Sequence, residues 1–167
     1  MRNWEDIHAL HVRAADALAA KAMDVPADRW LKPRAEGKWS PAEVVEHLNR
    51  VYDVVLNEIA GAPGMQIKTA LWQRVLPRFT MVPKILRGDG FPEGARAPKE
   101  TRPVVSIIDQ REAVDGFRER AKRFAEDVQG ARNRGQRLTH AYFGKMSAIG
   151  TTLLLARHIE HHMKQIS

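Results

Sequence analysis

The sequence contains no cysteine, and this absence narrows the chemistry open to the chain. Disulfides, thiolate zinc sites and a cysteine nucleophile are all excluded, so any metal must be bound through nitrogen or oxygen ligands. A chain without cysteine also suits a reducing compartment. We therefore expect a cytoplasmic protein.

Long apolar runs are missing as well. No stretch approaches the roughly 18 apolar residues of a membrane span, and the N-terminal Met1 to Asp6 lacks the unbroken apolar core of a signal peptide. Internal repeats and alternating strand patterns are also absent from the sequence. The expectation is a soluble protein with no membrane partner.

Four stretches instead carry apolar residues at three- and four-residue spacing, which is the period of one helical face. They cover Arg2 to Asp24, Ser40 to about Ile59, Ile107 to Val128, and Met146 to the C-terminus. Ser40-Pro41-Ala42-Glu43 is a strong helix start, since Ser caps the first turn and Glu can close a capping box. With 167 residues, the chain predicts a single all-α domain over residues 1–167, built as a four-helix bundle.

The connections between these helices are predicted to be irregular. Val25 to Trp39 and Gly130 to Gly144 are expected to be loops, and the proline-rich stretch from Met65 to Val104 to form an inserted segment of short helices. That insert also carries eight basic residues against three acidic ones, so it holds five of the seven excess positive charges of the chain. The charge excess is therefore local.

The last helix carries histidines on its apolar side. His158 and His162 are one turn apart and about 40° apart around the helix axis, so their imidazoles can converge on one ion. His47, on the second helix, can reach the same interior from a facing element. His161 points toward the charged face. His11, on the first helix, is expected to be partly buried with an ordinary hydrogen bond, and the alternative is a fourth ligand or supporting group.

The order of these motifs resembles the DinB-like (DinB/YfiT) family of metal-dependent enzymes. The likeness is carried by Trp39-Ser40-Pro41 ahead of His47, by the Tyr142-Phe143-Gly144 loop, and by H-x3-H-x2-Q-I from His158 to Ile166. It implies an up-down-down-up bundle and a divalent metal, often nickel, zinc or manganese, held by His47, His158 and His162. Characterised relatives catalyse transfer or isomerisation reactions that use low-molecular-weight thiols such as bacillithiol, mycothiol or glutathione.

Three functions follow as alternatives. The first is a metal-dependent enzyme, in which the metal activates water or a small-molecule thiol, since the chain has no cysteine of its own. Candidate acid–base or supporting groups are Tyr52, His11, His140 and Glu58. The second is a non-catalytic metal-binding or oligomerising bundle, with a homodimer as its simplest form. The third and weakest is a nucleic-acid binder that would use Trp72 and Phe79 beside Arg74 and Arg78.

The basic insert completes the expectation for the enzyme. We expect the segment from Met65 to Val104 to lie beside the open side of the metal site and to admit an acidic small molecule, such as an anionic thiol. The alternative is a solvated basic surface far from the site.

Overall fold

Each of the four long helices begins at a residue whose side chain caps its first turn. The computed structural model describes residues 3–66, 80–91, 97–104 and 109–166. Within them the first long helix, α1, spans Trp4–Met23, and the Asn3 side chain accepts a hydrogen bond of 2.7 Å from the Asp6 amide. This confirms the first predicted helix within one residue at its C-terminal end.

The loop predicted between the first two long helices contains a short helix, α2, at Ala27–Trp30. Its Trp30 is buried, whereas the following residues up to Lys38 are exposed. The loop prediction was therefore correct for its second half. Val25 and Trp30 are both buried and hold the first half against the core, and the four residues of α2 are too few to show a helical period.

The second long helix, α3, spans Pro41–Ile59 and starts as the sequence predicts. The Ser40 hydroxyl accepts from the Glu43 amide at 3.3 Å, and the Glu43 carboxylate accepts from the Ser40 amide at 2.7 Å. Both halves of the capping box are thus formed, with Pro41 in the first turn.

The inserted segment contains short helices in its described parts. Residues 80–87 are helical and are called α4, and Lys99–Thr101 forms one turn of 3-10 helix. Val82 and Ile85 of α4 are buried. The other predicted contributors to this segment lie outside the described residues, among them Leu71, Trp72, Arg74, Val75, Leu76, Arg78 and Phe79.

The third long helix, α5, spans Gln110–Asn133 and continues past the predicted end at Val128. The sequence predicts a loop from Gly130 onward, but Gly130 lies inside the helix and Ala131 extends the buried face. The helix ends ahead of Gly135, whose φ of 63° lies in the left-handed region that favours glycine. The predicted start at Ile107 lies outside the described residues.

A small antiparallel hairpin replaces the rest of the predicted loop between Gly130 and Gly144. Strand β1 spans Arg137–His140, strand β2 spans Gly144–Ser147, and Leu138 pairs with Met146. Consecutive residues Leu138 and Thr139 are both buried, because Thr139 faces Glu58 of α3. Strand β1 does not alternate between buried and exposed residues, and β2 alternates over only four residues, so neither strand carries a clear period-two signal. The loop prediction was wrong here for that reason.

The fourth long helix, α6, spans Ala148–Met163, and the Ser147 hydroxyl accepts from the Gly150 amide at 3.1 Å. This confirms the predicted cap. Helix α1 packs against α5 and α6, and α3 packs against α5. One core cluster draws on all four long helices, and its members include Leu18, Leu48, Phe117 and Ile159.

A second, smaller cluster joins α4 to the hairpin and α6. Its buried members are Val82, Ile85, Phe143, Met146 and Leu154. The chain is therefore mostly helical, as the all-α prediction requires, while the bundle arrangement and its connectivity stay predictions. Among the described residues, no helix is both long and apolar enough to cross a bilayer.

Candidate metal centre

Three histidines from two helices meet at one point. The Nε2 atom of His158 lies 3.3 Å from Nε2 of His47 and 2.9 Å from Nε2 of His162. The ligand atoms of the three all lie within 4.8 Å of one another. Since Zn–N bonds are about 2.0–2.1 Å, two ligands of one ion stand roughly 2.9–3.4 Å apart, so both spacings to His158 fit a shared ion.

Hydrogen bonds on the far sides of two rings fix which nitrogen is free. His47 donates from Nδ1 to the Thr101 carbonyl at 2.6 Å, and His162 donates from Nδ1 to the Gln165 Oε1 atom at 2.9 Å. A carbonyl oxygen only accepts, so each Nδ1 carries its hydrogen and each Nε2 presents a lone pair. This is the tautomer that metal binding through Nε2 requires.

The chemistry of the donor set fits a cation. The lone pairs on His47 and His162 both face Nε2 of His158, which can carry at most one hydrogen. A single hydrogen satisfies one neighbour and leaves the other lone pair against a ring nitrogen, which is costly in a buried place. A divalent ion would satisfy all three nitrogens together.

Burial keeps the three rings neutral. Loss of solvent lowers the pKa of His47 to about 4, partly offset by its bond to Thr101. Burial, followed by the neighbouring His47, lowers the pKa of His162 to about 3. The pKa of His158 is held well below its usual range by burial and then by the other two histidines. Neutral imidazoles at pH 7 need not lose a proton to bind a metal.

Two aromatic rings border the cluster. The Trp39 ring stacks on His162 with centroids 5.9 Å apart and lies 4.9 Å from His47. Phe91 lies 5.1 Å from His158 on another side. Thr101 and Phe91 both belong to the insert between Met65 and Val104, so these described parts of the insert lie beside the cluster. The position of the insert at the open side of the site stays a prediction.

His161 stands apart from the three, as expected. Its Nε2 atom accepts from the Gln165 Nε2 amide at 3.1 Å, so Gln165 bridges His161 and His162. The group that could share an ion contains only the other three histidines among the described residues.

The remaining candidates are held elsewhere by their own contacts. His11 is completely buried, with Nε2 2.7 Å from the Tyr52 hydroxyl, so the pair belongs to the core rather than to the cluster. The Glu58 carboxylate accepts from the Thr139 amide and hydroxyl at 2.7 and 2.6 Å and thereby anchors the hairpin. Neither Tyr52 nor Glu58 belongs to the three-histidine group.

Among the predicted supporting residues, His140 is the one that interacts electrostatically with the cluster. Its Nδ1 accepts from the Tyr142 and Phe143 amides at 3.2 and 3.3 Å, so its hydrogen resides on Nε2. Burial lowers its pKa to about 4, and a charge on it would oppose a charge on His158. His140 is thus a neutral donor that interacts electrostatically with His158.

Sequence reasoning missed Thr101 and Phe91. Thr101 lies 54 positions from His47, and its contribution is a backbone carbonyl, which every residue possesses. Phe91 stands alone in a glycine- and proline-rich stretch without a period. Trp39 and Gln165 lie inside the family's motifs. Their fixed spacing from Ser40 and His162 was the sequence signal that could have placed them at the site.

No curated protein and no solved structure matches the chain. A family model does match: that of the DinB superfamily, over residues 10–166. This range includes the three clustered histidines, and only the first nine residues and the last one fall outside it. The chain belongs to the DinB superfamily.

Proposed function

We propose that the protein binds one divalent metal ion through His47, His158 and His162 and acts as a metal-dependent enzyme on a low-molecular-weight thiol. The convergence of three Nε2 atoms, with spacings of 2.9 and 3.3 Å, is the observation that carries the metal. Three imidazoles suit nickel or zinc, with manganese as the harder alternative. Membership of the DinB superfamily supports the same interpretation.

The proposal of a thiol follows from the coordination positions that three neutral ligands leave open. Such a site keeps coordination positions open, and a bound ion lowers the pKa of a thiol or water placed there. The chain has no cysteine, so the nucleophile must come from a cosubstrate. We propose an anionic small-molecule thiol as that cosubstrate, in a cytoplasmic protein whose four long helices form an up-down-down-up bundle.

The chain's own residues have distinct parts in this proposal. Thr101 and Gln165 orient His47 and His162 and hold a hydrogen on each Nδ1. Trp39 and Phe91 keep water from the ring faces. His140 holds a hydrogen on Nε2 and is the group best suited to donate a hydrogen bond to a substrate, because its Nδ1 already accepts two.

Metal analysis tests the ligand assignment. Tag-free protein should contain about one ion per chain, and alanine at any of the three histidines should abolish stoichiometric binding, since two imidazoles hold an ion far more weakly than three. His161→Ala is the matched control, because it removes a neighbouring histidine without removing a ligand, and it should retain the ion. Full occupancy in His158→Ala would refute the assignment.

A second function, a non-catalytic metal-binding bundle, is supported by the position of the cluster. An ion there would link α3 to α6, and His47 is tied to the 3-10 turn through Thr101. Assays with bacillithiol, mycothiol and glutathione separate the two functions. Metal-dependent consumption of one thiol supports the enzyme, whereas a metal-dependent rise in Tm without consumption of any supports the structural role.

A further inference from the structure

A cavity of about 340 Å³ lies beside the C-terminal end of α6. Its lining includes three cationic side chains, Lys21, Arg157 and Lys164, and the carboxylate of Glu160. This volume is within the range of small-molecule sites, about 300–1,000 Å³. Its size therefore suits a small ligand, and its charges decide which kind.

Arg157 and Glu160 neutralise each other. Their side chains form an ion pair of 2.6 Å, and the guanidinium also donates to the Leu86 carbonyl at 3.3 Å. Gly88 leaves room for this arrangement, because a Cβ at that position would lie 3.4 Å from the Arg157 Cζ atom. Arg157 is thus a fixed wall of the cavity.

The two lysines are not neutralised in this way. Lys21 uses one of its three donors on the Met163 carbonyl, at 2.9 Å, and the Lys164 side chain is exposed. Within the described residues, neither lysine has a carboxylate within 4.0 Å. The carboxyl end of α6 offers only about half a negative charge, so it cannot balance two full positive charges.

The cavity is connected to the metal cluster through His161. His161 lines it, and Gln165 joins His161 to His162 through hydrogen bonds of 3.1 and 2.9 Å. The Phe91 ring contacts both His161 and His158, with centroids 5.3 and 5.1 Å away. A ligand in the cavity is therefore one ring removed from the cluster.

We propose that this cavity binds a small organic anion, with its carboxylate or phosphate held between Lys21 and Lys164. We further assign this anion as the acidic part of the substrate of the metal site, and that assignment rests on the proposed function. The binding step itself depends only on the cavity and its lysines. It can be tested without any metal.

The test uses metal-free, full-length protein titrated with succinate, and separately with inorganic phosphate, while amide NMR spectra are recorded. Saturable shifts are expected at Gly88, Gly90, His161 and Lys164. The double variant Lys21→Gln/Lys164→Gln should weaken binding about tenfold or more, because charge-assisted hydrogen bonds to the anion are lost. The single variant Lys164→Gln, at an exposed position, should weaken it in the same direction and covers the case in which the double variant does not fold.

The control variant Lys32→Gln/Lys122→Gln removes the same charge from exposed positions elsewhere and should bind like the parent. Equal losses in both double variants, or shifts that never saturate, would mean general attraction to a basic surface and overturn the site. If the cavity binds succinate but the histidines take up no metal, the cavity assignment stands and the proposed function fails. Metal uptake without these shifts overturns the cavity assignment and leaves the proposed function standing.

Discussion

Replacing His11 with glutamine should make the metal-free protein less sensitive to acid. His11 is 0% exposed, and burial lowers its pKa from 6.5 to about 3, with a smaller contribution from His8. The folded state therefore leaves His11 neutral at mildly acidic pH, whereas the unfolded chain takes up a proton. Acid thus favours unfolding.

The size of the effect follows from the two pKa values. A lowered folded pKa gives stability that is fully present above pH 6.5 and is lost as the pH falls from 6.5 toward 3. Each pH unit in that window costs about 1.36 kcal/mol, so His11 alone removes about 2 kcal/mol between about pH 7.5 and pH 5. This is a large share of the roughly 5–15 kcal/mol that stabilises a typical domain.

Glutamine is the suitable replacement because it does not titrate and can still hydrogen-bond the Tyr52 hydroxyl, now 2.7 Å from His11. Urea unfolding of EDTA-treated protein at several pH values would give the free energy of unfolding. Between about pH 7.5 and pH 5, His11→Gln should lose about 2 kcal/mol less than the parent.

Tyr52→Phe is the matched control, because it removes the same hydrogen bond and keeps the buried imidazole. It should be less stable at every pH, with the parent's dependence on pH. If His11→Gln shows that same dependence, protonation of His11 is not coupled to unfolding and the reasoning is wrong.

Three further predictions concern other parts of the fold. Gln165→Leu removes the acceptor of the His162 Nδ1 hydrogen and should weaken metal affinity about 10–100-fold in competition titrations, whereas Gln165→Glu should keep it; equal affinities in both variants would exclude an orienting role. Gly130→Ala, inside α5, should raise the free energy of unfolding by up to about 1 kcal/mol. Gly135→Ala, at a φ of 63°, should instead lower it by about 1 kcal/mol. Urea unfolding measures both changes, and changes of the same sign would contradict the observed helix end. Thr139→Val removes the hydroxyl that donates to Glu58 and keeps the amide hydrogen bond, so it should cost about 1–3 kcal/mol in the same assay while metal content stays at the parent's level; a change in metal content would mean that the hairpin controls the site.

The long helices could be predicted because their signals are local. The capping box at Ser40 and Glu43 lies within four residues, and the pair His158 and His162 lies within one helical turn. His47 joined them by a weaker argument, since it required α3 to face α6. The structure brings these three together, and their binding of a metal stays a prediction.

What escaped prediction depends on contacts between distant parts of the chain. The hairpin forms where Thr139 meets Glu58, which lies 81 positions away and gave no sign in the sequence of either strand. The extra turn of α5 follows from burial of Ala131. Gly130, one residue earlier, led the sequence prediction to end the helix before that turn. Tertiary packing overrode local preference in both places.

The direct junction of β2 and α6 limits the insertions and deletions that the chain can tolerate. Ser147 is both the last residue of β2 and the cap of α6, so no linker separates strand from helix. The hairpin register, fixed by Leu138 opposite Met146, thereby sets the rotational phase of α6. One inserted residue at this junction would turn His158 and His162 by about 100° and shift them about 1.5 Å along the axis, away from His47. A deletion there would do the same in the opposite sense, so natural length variation should avoid this junction.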